Sequence, residues 1–197
     1  MRAQKAAPGP NTLSSDTLNA IVMSAASTEA FVNEFAETAA LLYSTFFPHA
    51  IPPVITTCVQ VLQDLEDSRV AVTTKYLVAS QVLAGTAFDA GSAPFQDFKL
   101  LIDLRNAIMH MKPTLGGDRH AGQRIADVLG QRGLAVSNTG TGSLGWLDRL
   151  MTPAVAQWAH NAALEMIRRT LDLVPVRTHF DPLDSYRRFF RDYPHIT

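Results

Sequence analysis

Three polar side chains, Arg105, Asn106 and His110, lie close together in an otherwise apolar stretch of the chain. Arginine keeps its positive charge, so burying it beside Met and Ile costs free energy unless a carboxylate or another anion meets it. Histidine can donate or accept a proton near neutral pH, and an asparagine amide can hydrogen-bond a phosphate oxygen or an imidazole. The combination favours a phosphate site with acid–base chemistry. The alternative is a histidine that simply ends a core helix.

The helix that must position these side chains is predicted from Phe95 to Pro113, about five turns long. Pro94 fits its first turn, where no backbone N–H is needed, and Pro113 ends it. One broad apolar face, expected in the core, holds Leu100, Leu101, Leu104, Ala107, Ile108 and Met111. A narrower stripe on the opposite side holds Phe95, Phe98, Ile102 and Met109. Because the first face already serves the core, the stripe is predicted to be a two-fold interface between two copies of the chain.

A carboxylate on the first helix is a second candidate site residue. The helical spacing of apolar residues predicts one long helix over residues 14–47, ended by Pro48. Glu29 and Asn33 are four residues apart and share its inward face, where a carboxylate is unusual. We therefore expect Glu29 to be mostly buried and to meet a donor, with Arg105, Asn33 and Asn106 as the best candidates.

These stretches resemble a known family. The run from Arg105 to His110 is similar to the Arg-polar-x3-His motif of HEPN domains, and Ser27 to Glu34 resembles the Glu-Ala-Phe-x-Asn-Glu segment of one HEPN group. Lys75-Tyr76, Phe95-Gln96-Asp97-Phe98 and Trp158-Ala159 also fit that group, so the matching stretches span roughly residues 15 to 170. HEPN domains are helical bundles, and many are metal-independent ribonucleases of toxin–antitoxin and antiviral systems.

The resemblance implies a homodimeric endoribonuclease in which the motif helices of two protomers, over residues 95–110, form one composite cleft. It implies that His110 transfers a proton, Arg105 stabilises the charged phosphorane and Asn106 orients the phosphate or the ring, leaving a 2′,3′-cyclic phosphate. Supporting or RNA-binding residues are then expected to be Glu29, Asn33, Lys99 and Lys112. On an ideal helix Arg105 and His110 point about 140° apart, so they straddle the narrow stripe rather than touch. RNA and an antitoxin protein are the partners that the resemblance suggests.

The expected fold is an all-α, HEPN-like bundle of about five main helices, with a long N-terminal helix and a short extra helix after the motif helix. The chain divides into an N-terminal tail over residues 1–12, the helical domain over residues 13–174, and a C-terminal tail or short packed helix over residues 175–197. The extra helix is predicted over residues 119–131. A strand over residues 70–74 is not favoured, because the chain carries no partner strand. A Ser/Thr/Gly/Asn loop follows over residues 133–145.

Composition narrows the chemistry. The 197 residues carry a net charge of −1, so RNA binding must use a local basic patch rather than global attraction. The single cysteine, Cys58, and six histidines without paired ligand spacing predict no metal, and no cofactor motif is present. No apolar run is long enough to cross a membrane and no signal peptide is recognisable, so a cytoplasmic location is expected.

Two other functions stay open from the sequence. One is a non-catalytic HEPN-like module that binds RNA, a nucleotide or a protein partner, and the low net charge favours it mildly. The other is a helical scaffold without a ligand. The aromatic and basic residues after Arg177 predict a helix packed on the bundle, with an RNA-contacting arm as the alternative.

Overall fold

The fold is entirely helical in the computed structural model, which describes residues 10–46, 51–110, 121–136, 145–175 and 183–196. These residues form eight helices and no strand, which confirms the all-α prediction. The helices are α1 (Pro10–Phe46), α2 (Pro53–Asp67), α3 (Val72–Ala84), α4 (Phe95–Met109), α5 (Ala121–Gln131), α6 (Trp146–Leu150), α7 (Pro153–Asp172) and α8 (Asp184–Asp192). Within this part of the chain, no helix is both long and apolar enough to cross a membrane.

The centre of the bundle is the contact between α1 and α7, the most extensive between any two described helices. Both helices bury small residues: Ala25, Ala36 and Ala39 on α1, and Ala159, Ala162 and Ala163 on α7. Side chains of this size let two helix axes approach closely, and larger buried residues fill the space on either side. Thr152 caps α7 by accepting a hydrogen bond from the backbone N–H of Val155, at 3.1 Å.

The short helix α3 covers the narrow stripe of α4. Phe95, Phe98 and Ile102 are 3, 0 and 7% exposed, so they belong to the chain's own core. The ring of Tyr76 on α3 lies 4.7 Å from that of Phe98, and Phe88 lies 6.5 Å from Phe95. The prediction that the whole stripe is a free two-fold interface is therefore wrong. Of its four residues only Met109 is exposed, at 59%. The broad apolar face is confirmed, with Leu101, Leu104 and Ile108 buried.

The helices after the motif helix are locked by one buried arginine. Arg149 of α6 is 3% exposed and donates to the Asp127 carboxylate of α5 at 2.7 Å and to the backbone carbonyl of Val136 at 2.9 Å. Gly122 of α5 packs against the Trp146 ring so closely that a Cβ atom there would come within 2.6 Å of it. This packing fixes α5 beside α4.

The C-terminal helix α8 packs on the bundle. Tyr186 and Phe190 lie against Phe31 of α1, with ring centroids 6.4 and 5.9 Å away. Arg187 is 8% exposed and donates to the backbone carbonyls of Leu171 and Val174, both at 2.6 Å. The Leu171 carbonyl belongs to the last turn of α7 and also accepts from the backbone N–H of Val174 at 3.2 Å, and Val174 follows the helix. Carbonyls at a helix C-terminus lack the usual helical partner four residues on. The packed helix predicted from the sequence is therefore present. Two of its aromatic rings, those of Tyr186 and Phe190, pack against the chain's own α1.

Several sequence predictions fall outside the described residues. They concern the tail over residues 1–9, the helix end at Pro48, the core residue Met111, Lys112, and the loop over residues 137–144. Two predicted boundaries are wrong. The motif helix α4 ends at Met109, where the backbone of His110 leaves the helical conformation, and so it does not continue to Pro113. Helix α1 begins at Pro10, inside the predicted tail over residues 1–12.

We expect Arg187→Met to lower the free energy of unfolding by about 1–3 kcal/mol, because it removes two buried hydrogen bonds to the carbonyls of Leu171 and Val174. The neighbouring Arg188 is the matched control. Its side chain is 68% exposed and pairs with Asp184 one turn away, so Arg188→Met is expected to change stability little. Urea unfolding followed by circular dichroism measures both. Equal effects of the two substitutions would contradict the role of Arg187.

Candidate functional site

Arg105 is the centre of the candidate site. It lies on α4 and reaches α1, where its Nη2 donates to Oε2 of Glu29 at 3.2 Å. Its Nη1 donates to Oδ1 of the neighbouring Asn106 at 3.0 Å. The Arg105 and Glu29 side chains are 33 and 45% exposed, so solvent and ligands can reach the pair. An ion pair this open contributes about 1 kcal/mol or less, and an incoming phosphate can compete for the guanidinium.

The expected partner of Glu29 is present, but its expected burial is wrong. Glu29 lies at the edge of the inner face of α1, next to the fully buried Thr28, and almost half of its side chain meets solvent. Its carboxylate is therefore hydrated as well as paired. Consequently Glu29→Ala should cost at most about 1 kcal/mol of stability, as for other exposed ion pairs.

Asn106 connects the arginine to a groove between α4 and α5. The groove has a volume of about 590 Å³ and is lined by Asn106 and His110 from α4 and by Arg124 and Val128 from α5, among others. His110 is exposed and ends α4, its backbone N–H donating to the carbonyl of Asn106 at 3.0 Å. Arg105 therefore faces α1, while His110 faces the groove. No direct hydrogen bond between these two described side chains is present, in keeping with their predicted separation around the helix.

A buried lysine near the site connects α3 to α1 and α2. Lys75 of α3 is 3% exposed, and its Nζ donates to Oδ1 of Asn33 at 2.9 Å and to the carboxylate of Glu66 on α2. Burial lowers its pKa below the usual 10.5, because desolvation disfavours the ammonium, while the negative charge of Glu29 acts in the opposite direction. Asn33 thus binds Lys75 rather than Glu29 or Arg105, and it supports the site only indirectly.

Sequence reasoning did not assign Lys75 and Glu66 to the site. A signal was available, because Lys75 lies one turn before the buried Ala79 and next to the buried Tyr76, on the inner side of α3. A lysine on an apolar face needs a carboxylate or carbonyl partner.

Of the two lysines predicted to support the site, Lys99 pairs within α4 and not with Arg105 or Asn106. Lys99 is 57% exposed and its Nζ lies 2.6 Å from Oδ2 of Asp103, one turn further along α4. Asp103 itself lines the α4–α5 groove. Lys112 lies outside the described residues. Among the residues that are described, no cluster of His, Cys, Asp and Glu is suited to hold a metal ion.

No protein-family model, curated protein or solved structure matches this chain. The HEPN resemblance therefore stays a prediction that rests on the sequence motif. The geometry around Arg105, Asn106 and His110 is independent of that resemblance.

We expect Lys75→Met to lower the free energy of unfolding by about 1–3 kcal/mol, since it removes the donor that joins Asn33 and Glu66 across three helices. Lys99→Met is the matched control, because it breaks an exposed pair within one helix and should cost about 0.5 kcal/mol or less. Urea unfolding compares them directly. A loss for Lys75→Met no larger than that for Lys99→Met would show that the buried contacts contribute no more than a surface pair.

Proposed function

We propose that this protein is a metal-independent endoribonuclease of the HEPN type that acts as a homodimer in a toxin–antitoxin or antiviral setting. The observation that carries the proposal is the arrangement of the motif side chains. The Arg105 side chain, one-third exposed, is hydrogen-bonded to Asn106. Asn106 lines the same groove as the exposed His110. An anion-binding group and a proton-transfer group thus flank one amide on one rigid helix.

This arrangement suits transesterification of RNA. The 2′-oxygen attacks the adjacent phosphorus, forming a 2′-O–P bond and breaking the bond to the 5′-oxygen. A base accepts the proton of the 2′-hydroxyl, and an acid supplies a proton to the leaving 5′-oxygen. The products are a 2′,3′-cyclic phosphate and a 5′-hydroxyl.

The residues take distinct roles in this reaction. Arg105 donates two hydrogen bonds to the phosphate and stabilises the charge that develops on the phosphorane. His110 transfers a proton, and Asn106 orients the phosphate between them. Glu29 holds the guanidinium in place before the phosphate replaces it.

The dimer supplies the second proton-transfer group, because each chain offers only one such histidine at the motif. Met109 and His110 are both exposed at the end of α4, next to each other. Pairing of this end with its two-fold copy would cover Met109 and bring two His110 side chains to one cleft. The partner surface is therefore narrower than the stripe that the sequence suggested.

We expect His110→Ala and Arg105→Ala each to lower cleavage of single-stranded RNA by about 10²–10⁴-fold, since each removes a group acting in the transition state. The assay contains a chelator, so a contaminating metal nuclease is silent. His160→Ala and Arg169→Ala, which change the same residue types on α7 away from the motif, are controls and should retain activity. Wild-type cleavage that requires a metal, or that survives in both motif variants, would contradict the proposal.

Mixing the two inactive variants tests the composite cleft. If one cleft needs only Arg105 from one chain and His110 from the other, a mixed dimer keeps one intact cleft and recovers part of the activity. If cleavage needs the His110 side chains of both chains in one cleft, the mixture stays inactive. Light scattering on the same samples measures assembly, and Met109→Lys is expected to weaken the dimer. A wild type that is monomeric at micromolar concentration and still cleaves RNA would overturn the dimeric mechanism.

A specific observation favours a second candidate, a non-catalytic module that binds RNA, a nucleotide or a protein such as an antitoxin. Arg105 already has a carboxylate partner in Glu29, and the net charge of the chain is −1. Both features weaken attraction to a polyanion. Binding of RNA by the wild type, without cleavage under any buffer tested, would favour this candidate.

A further inference from the structure

A second cavity lies away from the motif. It has a volume of about 700 Å³, is open to solvent, and is lined by the first half of α1, by α7 and by the segment from α8 to Ile196. None of its lining residues lines the α4–α5 groove. The volume is within the range of about 300–1,000 Å³ that is typical of small-molecule sites.

The lining of the cavity combines aromatic and aliphatic side chains. Phe189, Phe190 and Tyr193 supply the aromatic wall, and α7 contributes Ala156 and Ala163. Asp16 carries the formal charge of the lining, and no lysine or arginine is among the lining residues. Charge complementarity therefore favours a cation over an anion, and aromatic faces attract cations as well.

A polar atom at this cavity lacks a partner. Nε2 of His160, a lining residue, is buried and has no hydrogen-bond partner among the described residues. Buried polar atoms of this kind are uncommon and are usually satisfied by a protein group, a water or a ligand. The imidazole packs on the Tyr193 ring, with centroids 5.7 Å apart. Because Tyr193 is 45% exposed, displacing its ring to reach Nε2 uncovers little buried surface.

The aromatic wall is held in position by α7. Arg168 donates to the backbone carbonyls of Phe190, Arg191 and Tyr193 at 2.8, 2.9 and 2.6 Å. Asn161 makes two hydrogen bonds of 3.1 Å to the backbone of Ile196. Because the backbone of this wall is held before a ligand arrives, binding requires the Tyr193 ring to move and no backbone to be ordered.

We propose that this cavity is a binding site for a small aromatic amine in its cationic form. The ring of the ligand packs between the aromatic wall and the alanines of α7. Asp16 selects the positive charge, and Nε2 of His160 accepts a hydrogen bond from a ligand N–H. The site is separate from the proposed ribonuclease site and does not depend on it.

Calorimetric titration with two probes of the same ring system tests the proposal. We expect naphthylmethylamine, a cation, to bind the wild type with a Kd below about 1 mM, since small ligands with good contacts reach this range. Naphthylacetate, an anion, should bind at least about fivefold more weakly than the amine, because the carboxylate of Asp16 repels it. Binding of neither probe, or equal binding of both, would overturn the proposal.

Variants locate the site and separate its parts. Asp16→Asn should bring the two affinities close together, and His160→Phe should weaken amine binding about threefold by removing the acceptor while keeping the ring. Ala156→Phe fills the cavity and should weaken binding at least about tenfold. Ala154→Phe, on the other side of α7, is its matched control and should bind like the wild type. If Ala156→Phe does not fold, the ratio of the two probe affinities in Asp16→Asn decides. A preference for the amine that is unchanged from the wild type overturns the proposal.

Discussion

The extensive packing of α1 against α7 is the constraint on which the rest of the bundle depends. Helix α1 buries a continuous face that includes Ala25, Ala36 and Ala39. Larger side chains at these buried positions would force the surrounding core to rearrange. The other long elements then pack around this pair, and α4 contacts both of its members.

That arrangement gives the site its rigidity. Because α1 is fixed by α7, Glu29 and Asn33 stand at fixed heights beside α4 and α3. Arg105 meets Glu29 from one of these helices, and Lys75 meets Asn33 from the other. The buried contacts are the stronger constraint and the half-exposed pair the weaker one. Arg105 is therefore positioned by its surroundings while its guanidinium stays accessible to solvent, as the proposed exchange of Glu29 for a phosphate requires.

The sequence predicted the helices and a partner of Arg105 correctly. It predicted less well which side chains are exposed, as Glu29 and the stripe on α4 show. Helical spacing identified the core face of α4. It also predicted that Glu29 meets a donor, and Arg105, one of the three candidates, is the partner present. It could not show that Phe98 lies under Tyr76 of α3, because a second apolar face looks the same whether a partner or the chain itself covers it. Lys75 was missed for a related reason: its partners Asn33 and Glu66 come from two other helices, and their meeting depends on tertiary packing.

The central claim is that the motif helix cleaves RNA through the 2′-hydroxyl. Phosphorus NMR of an RNA strand incubated with the wild type in chelator, beside an all-deoxy strand of the same base sequence, tests it most directly. The account predicts a 2′,3′-cyclic phosphate resonance from the RNA and an intact deoxy strand. Cleavage of both strands, or cleavage of the RNA without a cyclic phosphate, would contradict it.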